Sequence, residues 1–336
     1  MTDTGFGRQA VRGGFLTSAK PSRMKATRRK DHLSPKNRIF QPAVWALIAL
    51  SAIWGYNWIV MKECLRYSGA FDYVALRTSL GTAGLFALLI WKRKPLHVKE
   101  IRWTIVLGLL ATTGNIGLAT FALIAGGVGK TAILVYTMPF FVLIIAWPLL
   151  GEYIRGLQWV AVFLAFAGLM VILEPWNLRS STISMVLAVL SGIAWAGSAI
   201  VIKIMRRKTA FDLISLTAWQ MLFGSIPLVL LAWSTPQQSI EWSAYFVGGL
   251  IYSAVICQVV ATLLWFYILN KLPAGAAGMG TLATPVIGVI CASVELGERP
   301  SFLEGSGMLL ILAALAILSF YGIRQHNRNQ TAVERK

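Results

Sequence analysis

The chain has 336 residues, 57% hydrophobic and 13% charged, with a mean hydropathy of +0.67. That balance excludes an ordinary soluble globular domain and indicates an integral membrane protein. A formal net charge of +18 would suit nucleic acid, but the basic residues lie in tails and short loops between apolar spans, so the bilayer, not nucleic acid, is the expected partner.

Residues 1–42 are polar and lack apolar periodicity, with ten Lys or Arg against Asp3 and Asp31. They read as a disordered basic cytoplasmic tail, either a topology signal or a segment held to anionic lipid. Met24 offers an alternative start, and no small-residue cleavage site precedes the first span, so no removable signal peptide is expected.

Ten spans follow. The first five are Ala43–Met61, Tyr73–Trp91, Trp103–Ala125, Thr131–Leu150 and Leu157–Leu173; the second five are Ile183–Ile202, Leu213–Trp233, Ala244–Leu269, Ala276–Glu295 and Phe302–Ile323. At about 1.5 Å per residue, spans of about 20 residues cross about 30 Å of hydrocarbon. Helices satisfy their own backbone in lipid, and the short alternating strands of a barrel are absent, so the fold class is all-α integral membrane. Trp45, Trp91, Trp103, Trp159, Trp176, Trp233 and Trp242 lie near span ends, where indoles anchor in the headgroup region. A short cytoplasmic tail, 324–336, closes the chain.

The spans are written twice. Trp54-Gly55-Tyr56-Asn57-Trp58-Ile59-Val60-Met61-Lys62 is echoed by Trp195-Ala196-Gly197-Ser198-Ala199-Ile200-Val201-Ile202-Lys203, 141 residues on. Arg77 and Gly81 fall on Gln220 and Gly224, and Met138-Pro139 with Gly151-Glu152 fall on Thr284-Pro285 with Gly297-Glu298. The repeats occupy 43–174 and 183–323. With the amino terminus inside, 25 of the 31 Lys and Arg are cytoplasmic, and both termini lie there. Five spans per repeat is an odd number, so the second copy enters from the opposite side and the repeats are inverted. Many secondary transporters use inverted repeats to build two oppositely open states around one midplane site.

Trp54-Gly55-x-Asn57-Trp58 with Lys62, Arg77, Tyr136-x-x-Pro139 with Leu150-Gly151-Glu152, and Thr284-Pro285 with Leu296-Gly297-Glu298-Arg299 resemble the paired EamA domains of the drug/metabolite transporter superfamily. The resemblance covers about residues 43–323. It implies a ten-helix bundle with a central cavity, exporting small metabolites or amino acids across a bacterial inner membrane. Gln220 in place of Arg77, and Ser198 in place of Asn57, imply a chemically asymmetric cavity.

Polar groups in lipid are costly and tend to face a cavity. Asn57, Asn115, Ser198 and Gln258 are therefore candidate cavity groups, a shift of 143 relating Asn115 to Gln258; interhelical packing is the alternative for each. Arg77 meets a substrate carboxylate, or pairs with Asp72 or Glu63. Trp54, Tyr136, Trp195, Tyr252 and Trp265 are candidate aromatic walls, and Pro139 and Pro285 are bends that serve as gates or as static kinks. Lys62 and Lys203 end their spans and snorkel, the Gly-Glu pairs cap turns, and Glu295 is a weak proton carrier. Cys64, Cys257 and Cys291 show no metal or redox spacing and pack within spans; His32, His97 and His326 lie outside them. No metal or cofactor is expected. No phosphate loop is present, no carboxylate lies mid-span, and no loop clusters Asp, His or Ser, so neither an ATP motor nor an enzyme is expected. The substrate is a small molecule, an amino acid or, alternatively, an aromatic drug-like compound; a non-transporting scaffold is the remaining reading. One chain holds both halves, so a monomer suffices.

Overall fold

The computed structural model describes residues 35–151, 153–154, 156–173, 181–271 and 283–334, and among these there is no strand. The helices are α1 (Pro35–Cys64), α2 (Ala70–Trp91), α3 (Ile101–Ala125), α4 (Val128–Leu150) and α5 (Leu157–Leu173). The second set is α6 (Ser181–Lys208), α7 (Leu213–Ser234), α8 (residues 244–271), α9 (Ala283–Glu295) and α10 (Phe302–Glu334).

Six helical stretches among the described residues are long and apolar enough to cross a membrane: α2, α3, α4, residues 182–208 of α6, α7, and Ala244–Trp265 of α8. Shorter apolar stretches lie in α5, α9 and α10. This is a multi-pass membrane protein. Its outer surface is correspondingly apolar: Trp91 is 74% and Trp233 87% exposed, each at the end of its helix, where an indole meets headgroups. Trp176 lies outside the described residues. α1 begins at Pro35, within the stretch read from sequence as tail.

The repeat is visible in the packing. α1 packs on α9 as α6 packs on α4; α1 packs on α8 as α6 packs on α3; α2 packs on α8 as α7 packs on α3. The remaining major pairs, α2 with α7, α4 with α9 and α5 with α10, are their own mates. Exchanging the two halves therefore leaves this set of contacts unchanged. The crossing of α3 with α7 is backbone to backbone. A Cβ at Gly108 would lie 2.3 Å from the Gln220 carbonyl oxygen, and one at Gly224 2.2 Å from that of Gly108, so α3 and α7 touch only because both residues lack one.

Two irregularities also repeat. Residues Leu109–Gly117 of α3 and Tyr252–Val260 of α8 are wound as π-helix, nine residues each and related by a shift of 143. Such segments widen the turn and often mark functional positions. α4 is broken at Tyr136-Thr137 into Val128–Val135 and Met138–Leu150, with Pro139 in the first turn of the second piece, where a missing N–H costs no helical bond. Its mate Pro285 stands in the first turn of α9; the residues just before lie outside the described set. Gly151 and Gly297 both adopt the left-handed conformation, φ 68° and 64°, ending α4 and following α9.

Loops clasp the bundle at both ends. At one end Lys94 pairs with Asp212 at 2.9 Å, and Lys99 Nζ donates to the Ala210 carbonyl at 2.9 Å. At the other, Glu241 N–H donates to the Tyr67 carbonyl at 2.8 Å and Phe71 N–H to Gln237 Oε1 at 2.9 Å. The exchange that relates the helices relates these two clasps. One is ionic, the other neutral.

Candidate functional site

The site grows from the seam of α1, α2 and α8. Asn57 on α1, 7% exposed, accepts at Oδ1 from Ser253 Oγ at 2.9 Å. Because the serine proton is used there, the 2.8 Å contact between Tyr73 and Ser253 has the phenol donating. Asn57 Nδ2 reaches Met61 Sδ at 3.1 Å, and Arg77 Nη1 reaches the same sulfur at 3.0 Å. A thioether is a weak acceptor. Arg77 is 6% exposed, joins no ion pair among the described residues, and its Nε has no partner there. The suggested pairing with Glu63 does not form: Glu63 binds Arg66 at 2.9 Å, three residues along the chain and outside the bundle.

Gln258 on α8 is 5% exposed, and neither amide atom has a partner among the described residues. Its side chain lies on Gly81, where a Cβ would fall 1.9 Å from Oε1. Gly81 is one turn beyond Arg77 on α2, so the amide and the guanidinium share a face of that helix.

The other candidates fall around this seam or away from it. The Trp54 indole donates to the Cys257 carbonyl at 3.4 Å and its ring lies 6.2 Å from Trp265. Tyr252 donates to the Ile53 carbonyl at 2.9 Å and meets Tyr56 edge-on at 6.1 Å. Trp195, the repeat mate of Trp54, instead meets Tyr136 edge-on at 5.5 Å, beside the break in α4. Asn115 accepts at Oδ1 from Ser191 on α6 at 2.9 Å. Among the described residues Ser198 bonds only back to the Trp195 carbonyl of its own helix at 2.7 Å, as a serine inside a helix commonly does. Cys64 and Cys257 are buried free thiols, and among the described residues no cluster of His, Cys, Asp or Glu is placed to hold a metal.

Three charged side chains near one end do more than the sequence reading assigned to them. Lys62 Nζ donates to the carbonyls of Leu123 at 2.5 Å and Gly126 at 3.1 Å, closing the carboxyl end of α3 instead of snorkelling. The Glu298 carboxylate accepts from the backbone N–H groups of Val128 at 2.7 Å and Gly129 at 3.1 Å, closing the amino end of α4, where the helix dipole favours an anion. Lys130 binds Glu304 at 2.7 Å beside it. Lys62, Glu298, Glu63, Arg66, Tyr245, Glu295 and Leu296 line a cleft of about 540 Å³ at the end of α1, one residue from Met61. Tyr56 reaches into this end too, donating to Glu295 at 3.3 Å. These caps join residues far apart in sequence; only the paired Gly-Glu spacing hinted at one of them.

A duplicated helical bundle with buried polar groups on the seam between its halves defines a class: membrane transporters built on internal repeats. Residues 41–174 and 182–320 each match the EamA-like transporter family, and the chain belongs to that family. It is similar to YoaV, an uncharacterized transporter of Bacillus subtilis strain 168, at 27% identity over 82% of this chain and 95% of the other. It is also similar to a probable amino-acid metabolite efflux pump of Escherichia coli K12, at 25% identity over 84% of this chain and 95% of the other. A solved crystal structure shares the fold with a TM-score of 0.59 at 16% identity, over 84% of this chain and 98% of that one.

Proposed function

We propose that this transporter exports small metabolites such as amino acids across a bacterial inner membrane, by alternating access around the polar seam of α1, α2 and α8. Ten spans arranged as two inverted five-helix repeats, with both termini cytoplasmic, give that scheme its geometry. The observation that carries it is the exchange of packings between the halves: a bundle that is its own mate has two oppositely open arrangements available at similar energy. The break at Pro139 and the matched start of α9 at Pro285 are the hinges of the exchange. The name of the Escherichia coli relative supports the substrate class. A single chain supplies both halves, so the working unit is a monomer. The aromatic pairs Trp54–Trp265 and Tyr136–Trp195 favour a second reading, export of aromatic drug-like compounds.

The test is flux into liposomes holding the full chain, with labelled amino acids and aromatic drugs, with and without a pH gradient, beside Asn57→Ala and Trp54→Ala. Saturable amino-acid flux that falls in Asn57→Ala supports the proposal. Drug flux without amino-acid flux favours the second reading, and no flux of either class counts against both.

A further inference from the structure

We infer that Arg77 and Gln258 form a carboxylate-binding site between α2 and α8, so that the carried solute is a small carboxylate, with α-amino acids as the members that use both groups. The inference deepens the transporter proposal and rests on it. The guanidinium has five donors. Here Nη1 meets the Met61 sulfur, and Nε meets no partner among the described residues. Removing such a charge from water without an anion is strongly unfavourable. Glu63 is engaged by Arg66, and among the described residues Asp72 forms no ion pair with Arg77. A carboxylate bound at Arg77 would replace the thioether with paired charge-assisted hydrogen bonds, a stronger and geometrically matched interaction.

Gln258 makes the site more specific. Both of its amide atoms are buried and unpartnered among the described residues, and the amide occupies the space that a side chain at Gly81 would fill. Nε2 is a donor for the second carboxylate oxygen, and Oε1 is an acceptor for an ammonium on the adjacent carbon. An amine lacking the carboxylate would bring a cation up to Arg77 and be repelled. One guanidinium and one amide match a monoanion; a phosphate dianion would call for cations that the described residues do not bring here.

The experiment uses three compounds with one side chain: leucine, 4-methylpentanoate, which lacks the amine, and 3-methylbutylamine, which lacks the carboxylate. Each is titrated into the purified full-length protein while tryptophan fluorescence is followed. Leucine and 4-methylpentanoate should compete for one site, and 3-methylbutylamine should bind at least about tenfold more weakly. Arg77→Gln should erase that preference and Arg77→Lys should keep part of it. Gln258→Leu should weaken leucine more than 4-methylpentanoate. Equal binding of the amine, or a preference that survives Arg77→Gln, overturns the inference. So does binding of none of the three by a protein that carries other solutes in liposomes, a result that leaves the transporter reading standing; absence of flux as well would remove both.

Discussion

The unit α6–α7–α3 and the unit α1–α2–α8 are mates under the repeat, and they treat equivalent polar positions differently. In the first, Gln220 accepts from Thr112 at 3.2 Å, Asn115 accepts from Ser191 at 2.9 Å, and Ser198 is satisfied by its own helix. In the second, Gln220 is replaced by Arg77, which has a thioether for company; Asn115 is replaced by Gln258, which has no partner among the described residues; and Ser198 is replaced by Asn57, which bonds across to α8. Duplication gave both units one backbone. Substitution then left one unit settled and the other holding buried donors in reserve, which is where a ligand gains most by binding.

The sharpest way to break the comparison is to make the mates alike. Arg77→Gln installs the residue that the other unit carries, and amino-acid flux in liposomes should fall at least about tenfold through loss of a charge-assisted contact. The same change should raise the thermal midpoint in detergent, because it deletes a buried charge without a counter-ion. Falling flux with rising stability is the signature of a group kept for function; a fall in both would mark Arg77 as structural.

Asn57→Ala and Ser198→Ala should separate next. The first strands the Ser253 hydroxyl proton that Asn57 accepts and should destabilise by about 1–3 kcal/mol in denaturant titration. The second removes a bond within one helix turn and should cost less than about 0.5 kcal/mol, with flux unchanged. Between them in size stands Glu298→Gln, which weakens the cap on α4 by about 0.5–1 kcal/mol, read as faster hydrogen exchange at Val128 and Gly129.

The smallest effect sharpens the contrast between the two loop clasps. Burial raises the pKa of Asp212, but Lys94 and the backbone N–H groups of Ser215 and Ile214 outweigh it, and the carboxyl sits below its ordinary range. A depressed folded pKa means stability that is present above the ordinary aspartate range and lost as pH falls through the lower folded value. With Lys94 43% exposed, the pair contributes less than about 1 kcal/mol. Acid and salt should loosen this end of the bundle, measured as cleavage of the 209–212 loop by added protease, while the neutral clasp at Tyr67 and Gln237 stays shut. Asp212→Asn should remove the pH dependence.

The sequence announced the class, the repeat and most of the seam. Apolar spans of membrane length are a one-dimensional signal, and so is a fixed shift, which is why the sequence alone relates Asn115 to Gln258. The break in α4 was legible because Pro139 is a local cause. What escaped was non-local. Met61 gives no sign in sequence of receiving both Asn57 and Arg77, nor Lys62 of reaching the end of α3. The partner of Glu298 lies 170 residues away. The π-segments had no residue signature: Leu109–Gly117 and Tyr252–Val260 share few side chains, so the winding is set by packing against α6, α7, α1 and α2 rather than by propensity.

Those segments also carry a date. A stretch of π-helix adds backbone that an α-helix of the same height would not need. Two excursions of nine residues, at the same register in α3 and α8, are accounted for by one event in a single ancestral half, before that half was copied and joined to itself. The difference between Arg77 and Gln220 at mated positions belongs after the joining, when the copies were free to diverge.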